Sequence, residues 1–211
     1  MRRLLLVAGA IITLAGAGAA HATTVSDPTG DFLGSFVGSH DPDLDVTSFG
    51  VSYNAATMIF TLNATLAGPI NPALPGLYVI GVNTGTGAIA PFAGIGEPNV
   101  IFNQVAVVQK TGATAIGANN LTATISGDSF SLLVPLNLLP STGFTPENYG
   151  WNLWPRNGLG NNNQISDFAP ENSTIASIPE PATWAMMLIG FGALGATLRR
   201  RRTATTAAQP A

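Results

Sequence analysis

Met58, Phe60, Leu62, Ala64 and Leu66 alternate with Ile59, Thr61, Asn63 and Thr65. A period of two predicts a strand with one buried face, because successive strand side chains point to opposite sides. Phe49, Val51 and Tyr53 keep the same period just upstream, and Asn54-Ala55-Ala56-Thr57 between the two runs reads as a hairpin loop. The pattern recurs where Leu121, Ala123 and Ile125 meet Phe130, Leu132 and Val134 across Ser126-Gly127-Asp128-Ser129. Residues 77–82 and 100–108 are denser apolar runs rich in Val and Ile, which suits strands buried on both faces.

Between residues 23 and 178 no stretch carries an amphipathic helical stripe, although residues 136–139 fit a single turn. Gly and Pro punctuate the chain at short intervals, as in Gly68-Pro69, Pro75-Gly76 and Gly94-Ile95-Gly96-Glu97-Pro98. The expected body is therefore all-β, an antiparallel β-sandwich, jelly-roll-like, of about seven to ten strands over residues 23–170. Residues 158–163 read as a loop and 171–178 as an exposed linker. No repeat at a solenoid period is present, and Leu121-Thr122-Ala123-Thr124 alone does not make the ranked threonines of a flat ice-binding face.

The two ends depart from this grammar. Met1-Arg2-Arg3, an apolar run over residues 4–20 and Ala20-His21-Ala22 have the order of a charged region, an apolar region and an A-x-A cleavage site. Residues 1–22 are expected to form a signal helix removed by signal peptidase, leaving His40 as the body's histidine. Near the other end, residues 182–198 carry no charge, Trp184 stands at the outer end, and Arg199, Arg200, Arg201 and Arg202 follow at once. A transmembrane helix over 182–198 is expected, with residues 203–211 as a cytoplasmic tail and the body on the opposite side. Gly190-Phe191-Gly192-Ala193-Leu194-Gly195 matches G-x-G-x-x-G but lies inside this span, not between a strand and a helix, so a nucleotide role is excluded.

Charge narrows the chemistry further. Charged residues make up 9% of the chain and there is no cysteine, so disulfides and thiolate sites are excluded. Once the ends are set aside, Lys110 and Arg156 face ten carboxylates, which excludes nucleic acid held by phosphate neutralisation. Asp27, Asp31, Asp41, Asp43 and Asp45 crowd the start of the body, with Gly30 to fold the backbone round them. Hard oxygen ligands on a turn point to calcium as the candidate ion. An EF-hand is excluded, since Val46 and Ser52 stand where that loop needs Gly and Glu. Trp151 and Trp154 lie three apart, on opposite sides of an expected strand; both are expected to pack in the sandwich, and the alternative is that one faces solvent as a candidate platform for a sugar ring. With His40 alone, no G-x-S-x-G, and Glu97, Glu147 and Glu171 scattered, the chain is read as a non-enzyme.

Pro179-Glu180-Pro181, then Trp184-Ala185, a glycine-rich apolar span and an arginine run resemble the PEP-CTERM sorting signal of Gram-negative bacteria, also labelled the C-terminal domain of ice-binding proteins. The resemblance implies recognition by an exosortase-type enzyme, processing near residues 179–181 and transient anchoring in the inner membrane with the body in the periplasm. Delivery to the cell surface or matrix follows, and family members commonly lie beside exopolysaccharide genes. Asp27-Pro28-Thr29-Gly30-Asp31, leading through Asp43-Leu44-Asp45 into a strand, also resembles the opening of secreted modules attached to glycan-active enzymes, in which such acids hold a structural calcium. The expected function is structural or adhesive, in exopolysaccharide or biofilm, with a calcium-stabilised carbohydrate-binding module as the alternative.

Overall fold

The structure, a computed structural model, describes residues 20–176. Of the expected signal helix over residues 1–22, residues 1–19 lie outside the described residues, as do the sorting segment and the transmembrane span at 182–198. Ala20, His21 and Ala22 are strand and not helix, because they pair with the strand Val46–Asn54. Among the described residues no helix is long and apolar enough to cross a membrane. Eleven strands form two sheets: β1 (Ala20–Ser26), β2 (Val46–Asn54), β3 (Ile59–Leu66), β4 (Leu77–Asn83), β5 (Gln104–Gln109), β6 (Ala113–Ile116), β7 (Asn119–Thr122), β8 (Thr124–Ser126), β9 (Ser129–Pro135), β10 (Gly150–Arg156) and β11 (Ile175–Ala176). One sheet runs β1-β2-β3-β9-β8 and the other β11-β10-β4-β5-β6-β7, with every strand pair antiparallel. The all-β, antiparallel expectation therefore holds for the body.

The alternation at β2 and β3 places Phe49, Val51, Tyr53, Phe60, Leu62, Ala64 and Leu66 in one core, with Asn63 on the open face. Tyr78, Ile80, Trp151 and Leu153 fill the same core from the other sheet. Rings meet across it: Phe60 lies 5.0 Å from Trp151, and Tyr78 lies 5.0 Å from Phe130. Met58, expected at the head of the β3 apolar face, is instead 58% exposed with a φ of 53°. The Asn54 side chain caps the turn through the N–H groups of Ala56 and Thr57, and Met58 completes it.

Three further expectations change. Residues 119–126 do not make one strand, because β7 belongs to one sheet and β8 to the other. Ala123 is the crossing point, buried, with its N–H donated to the Gly112 carbonyl at 2.8 Å. The run at 100–108 is strand only from Gln104, while Val100 and Phe102 belong to loops that cover the outer face of the second sheet. The described part of the expected linker, residues 171–176, is not simply exposed, because β11 pairs with the start of β10, and residues 177–178 lie outside the described residues. Thr23 then donates its hydroxyl to the Ala176 carbonyl at 2.8 Å, joining the edge strands of the two sheets.

The covering loops explain why β4 and β10 are buried along their whole length. Phe92, Val100, Trp154, Ile165 and Phe168 form a second apolar cluster on that outer face. Gly81 lies beneath it, where an added Cβ would come 2.5 Å from the Trp154 ring, so the strand needs glycine there.

Phe60 stands between Tyr53, Tyr149 and Trp151 with no exposed surface. Phe60→Ala should cost about 3–5 kcal/mol in urea unfolding followed by tryptophan fluorescence, with an unchanged denaturant slope. A loss below about 1 kcal/mol would show that the two sheets do not share this core.

Candidate functional site

After β1 the chain turns through Asp27-Pro28-Thr29-Gly30-Asp31, with Gly30 at a φ of 86°, a region open to glycine at little cost. The Asp27 N–H donates to the Thr47 carbonyl at 3.0 Å, and the Gly30 N–H donates to Asp45 Oδ2 at 2.7 Å. These bonds fold the turn back onto the start of β2. Asp167 reaches the same place from the far end of the sequence, accepting the Val46 N–H at 2.7 Å and the Phe168 N–H at 2.6 Å. One carboxylate oxygen from each of Asp27, Asp31 and Asp167 lies within 4.8 Å of the other two.

The five aspartates grouped by sequence thus separate. Asp27 and Asp31 converge and Asp45 is tied to their turn through Gly30, whereas Asp43 forms an ion pair with Lys110 at 2.7 Å, both side chains being 2–3% exposed. Asp43 also accepts the Asn71 N–H at 2.9 Å, and its carbonyl accepts the Tyr78 hydroxyl at 3.0 Å. Asp41 accepts the Ser39 hydroxyl at 2.8 Å near the surface. Asp167 was not among the expected acids. It is 122 residues beyond Asp45, and no local spacing links the two.

The site is electrostatically unfavourable as it stands. Burial, reinforced by the charges of Asp31, Glu171 and Asp45, pushes the Asp27 carboxyl up to about 7. Burial likewise pushes Asp167 up to about 8, with Asp27 and Asp31 adding to the shift and the Val46 and Phe168 N–H groups opposing it. Asp45 is also raised, by burial first and Asp31 second, against the Gly30 hydrogen bond. Oxygen ligands alone, close together and short of counter-charge, are a donor set for a hard cation.

The tryptophans do point to opposite faces, but neither meets solvent. Trp151 is 1% exposed in the shared core and Trp154 is 1% exposed under the covering loops, against Phe92, Phe102 and Phe168. Both rings are packed, as expected, and the alternative of a solvent-facing ring for sugar stacking is corrected: the outer face that would present Trp154 is itself packed over. His40 stacks on Phe32 at 4.3 Å in the exposed loop after the aspartate turn. Glu97 is buried, accepts the Asn172 N–H and feels the charge of Glu171.

The geometry so far defines an antiparallel two-sheet β body with an acidic site where its two ends meet. Residues 177–202 match the family model of the PEP-CTERM protein-sorting motif, beginning one residue after β11 ends at Ala176. The chain therefore carries the signal that marks a protein for exosortase processing and for sorting to the cell surface. Pro179, Glu180, Pro181, Trp184, Ala185 and Arg199 to Arg202 all fall inside the match and outside the described residues. No curated protein and no solved structure matches the chain.

Lys110→Ala should cost about 3–5 kcal/mol, because it leaves Asp43 buried without its partner. Adding Asp43→Ala should recover part of that loss in a double-mutant cycle, and strict additivity would contradict the pairing. The raised carboxyls set a pH dependence with a defined sign. In the unfolded chain Asp27 and Asp167 lose their protons near 3.8, whereas in the folded chain they hold them to about 7 and about 8. The folded state thus binds more protons in that window, and its stability falls as pH rises from about 4 through 8. Melting in excess chelator between pH 5 and 8 should show a declining midpoint, flattened in Asp167→Asn; a midpoint that rises with pH would refute it.

Proposed function

We propose that the protein is exported, held briefly in the inner membrane with its body in the periplasm, and then released to or displayed on the cell surface. There it serves as a structural or adhesive component of an exopolysaccharide or biofilm matrix. The observation that carries this reading is the sorting motif at 177–202, which follows the last described strand. Processing near Pro179 to Pro181 would leave β11, and with it the closed edge of the body, intact. Cleavage by signal peptidase after Ala22 would leave β1 as residues 23–26, still paired with Val51, Gly50, Phe49 and Ser48.

On this reading the body, a jelly-roll-like sandwich, works by contact and not by turnover. Polysaccharide contact falls to polar surface once the tryptophans are accounted for in the core. A groove of about 500 Å³ beside β5 and β7 favours the alternative of a carbohydrate-binding module, because Asn103, Gln104, Asn119 and Asn137 line it with amide donors and acceptors.

The test is fractionation of cells expressing the full chain or a Pro179→Ala, Glu180→Ala, Pro181→Ala triple variant. Wild type should reach the surface and matrix fractions, and the variant should remain in the inner membrane. Equal surface delivery of both would overturn the sorting reading. Retention of wild type in washed matrix supports the structural role, whereas free release into the medium in the presence of polysaccharide argues against it.

A further inference from the structure

We propose that Asp27, Asp31 and Asp167, with Asp45 beside them, form a calcium site that clamps the opening turn of the body to the segment just before its sorting motif. Within the trio, one oxygen from each residue lies within 4.8 Å of the others. A cation with bonds of roughly 2.3–2.6 Å reaches oxygens separated by up to about 5 Å, so one ion can touch all three. Asp45 supplies the independent observation. It is 3% exposed, its Oδ2 accepts the Gly30 N–H next to Asp31, and its Oδ1 is buried with no hydrogen-bond partner. Its hydrogen bond to Gly30, one residue before Asp31, and its place one residue before Val46, whose N–H goes to Asp167, set this carboxylate beside the trio. Asp27 Oδ2 is likewise buried without a partner. Native interiors rarely leave such oxygens unmatched.

Among the described residues, Lys110 and Arg156 are committed elsewhere. Lys110 pairs with Asp43. Arg156 donates Nε–H to the Gly158 carbonyl at 2.6 Å and a terminal N–H to the Asn161 carbonyl at 3.0 Å. A set of oxygens without nitrogen or sulfur selects a hard ion, and ligands drawn from three separate segments suit the flexible geometry of calcium better than the strict octahedron of magnesium. The ion would link the turn after β1, the entry to β2 and the strap along β10. This clamp is independent of the sorting reading and goes beyond it, because it concerns where the body becomes rigid and not where it is sent.

The test is calorimetric titration of CaCl₂ into the full chain in detergent after chelator treatment, with thermal melts in parallel. One calcium per chain is expected, with a dissociation constant at or below the millimolar range of extracellular modules, and a midpoint raised by a few degrees at about 5 mM calcium. Asp31→Asn should weaken binding at least about tenfold. Asp31 is exposed and holds no backbone group, so this variant keeps the fold even if Asp167→Asn does not. Asp41→Asn should bind as wild type. No binding at about 5 mM calcium, wild-type binding by Asp31→Asn, loss of binding in Asp41→Asn, or an equal effect of magnesium would each overturn the proposal.

Discussion

Charge scarcity governs this body. Ten carboxylates share the described residues with Lys110 and Arg156, both of which are buried. A buried charge is tolerated only when a counter-charge or several hydrogen bonds replace the water it has lost. Lys110 meets that need for Asp43, and backbone N–H groups partly meet it for Asp45, Glu97 and Asp167. The same bonds tie distant segments together, since each acid is satisfied by backbone far from it in sequence. The carboxylates are therefore structural connectors as well as charges, and the one place where they outnumber their partners is where the two ends of the body meet.

The aromatic residues divide along the same lines as the sheets. Phe60, Tyr78, Phe130, Tyr149 and Trp151 occupy the space between the sheets, while Phe92, Phe102, Trp154 and Phe168 occupy the outer face of the second sheet. That outer layer is built from loops, and it buries the second face of β4 and β10, while β5, β6 and β7 keep exposed positions. Burial on both sides of β4 and β10 suits a protein sorted to the cell surface, where local opening invites proteolysis. It also removes the indole rings from any surface role, and leaves amide-rich grooves and the acidic turn as the chemistry that solvent can reach.

The way the chain closes matters for its export. β1 and β11 are neighbours across the two sheets through Thr23 and Ala176, so the start of the body and the approach to the sorting motif lie side by side. The last described strand, β11, stops at Ala176, and the match to the sorting motif begins at residue 177.

The sequence by itself determined the all-β class, the strands at β2, β3 and β9, the buried β4 run and the sorting address, because each rests on local periodicity or on a contiguous motif. It also put Asp27 and Asp31 on one turn and Asp45 next to it, since a turn and the strand it folds against are near in sequence. Local spacing cannot show which acid finds a lysine, so Asp43 was grouped with the others although Lys110 claims it across the fold. Nor can it show a change of sheet in mid-run, as at Ala123, or a second core laid over the outside of a sheet, as at Trp154. Only the tertiary structure brought Asp167 to Asp27 and Asp31. Their convergence depends on antiparallel pairing that returns the end of the chain to its beginning, and that contact is set by the folding of every strand between them.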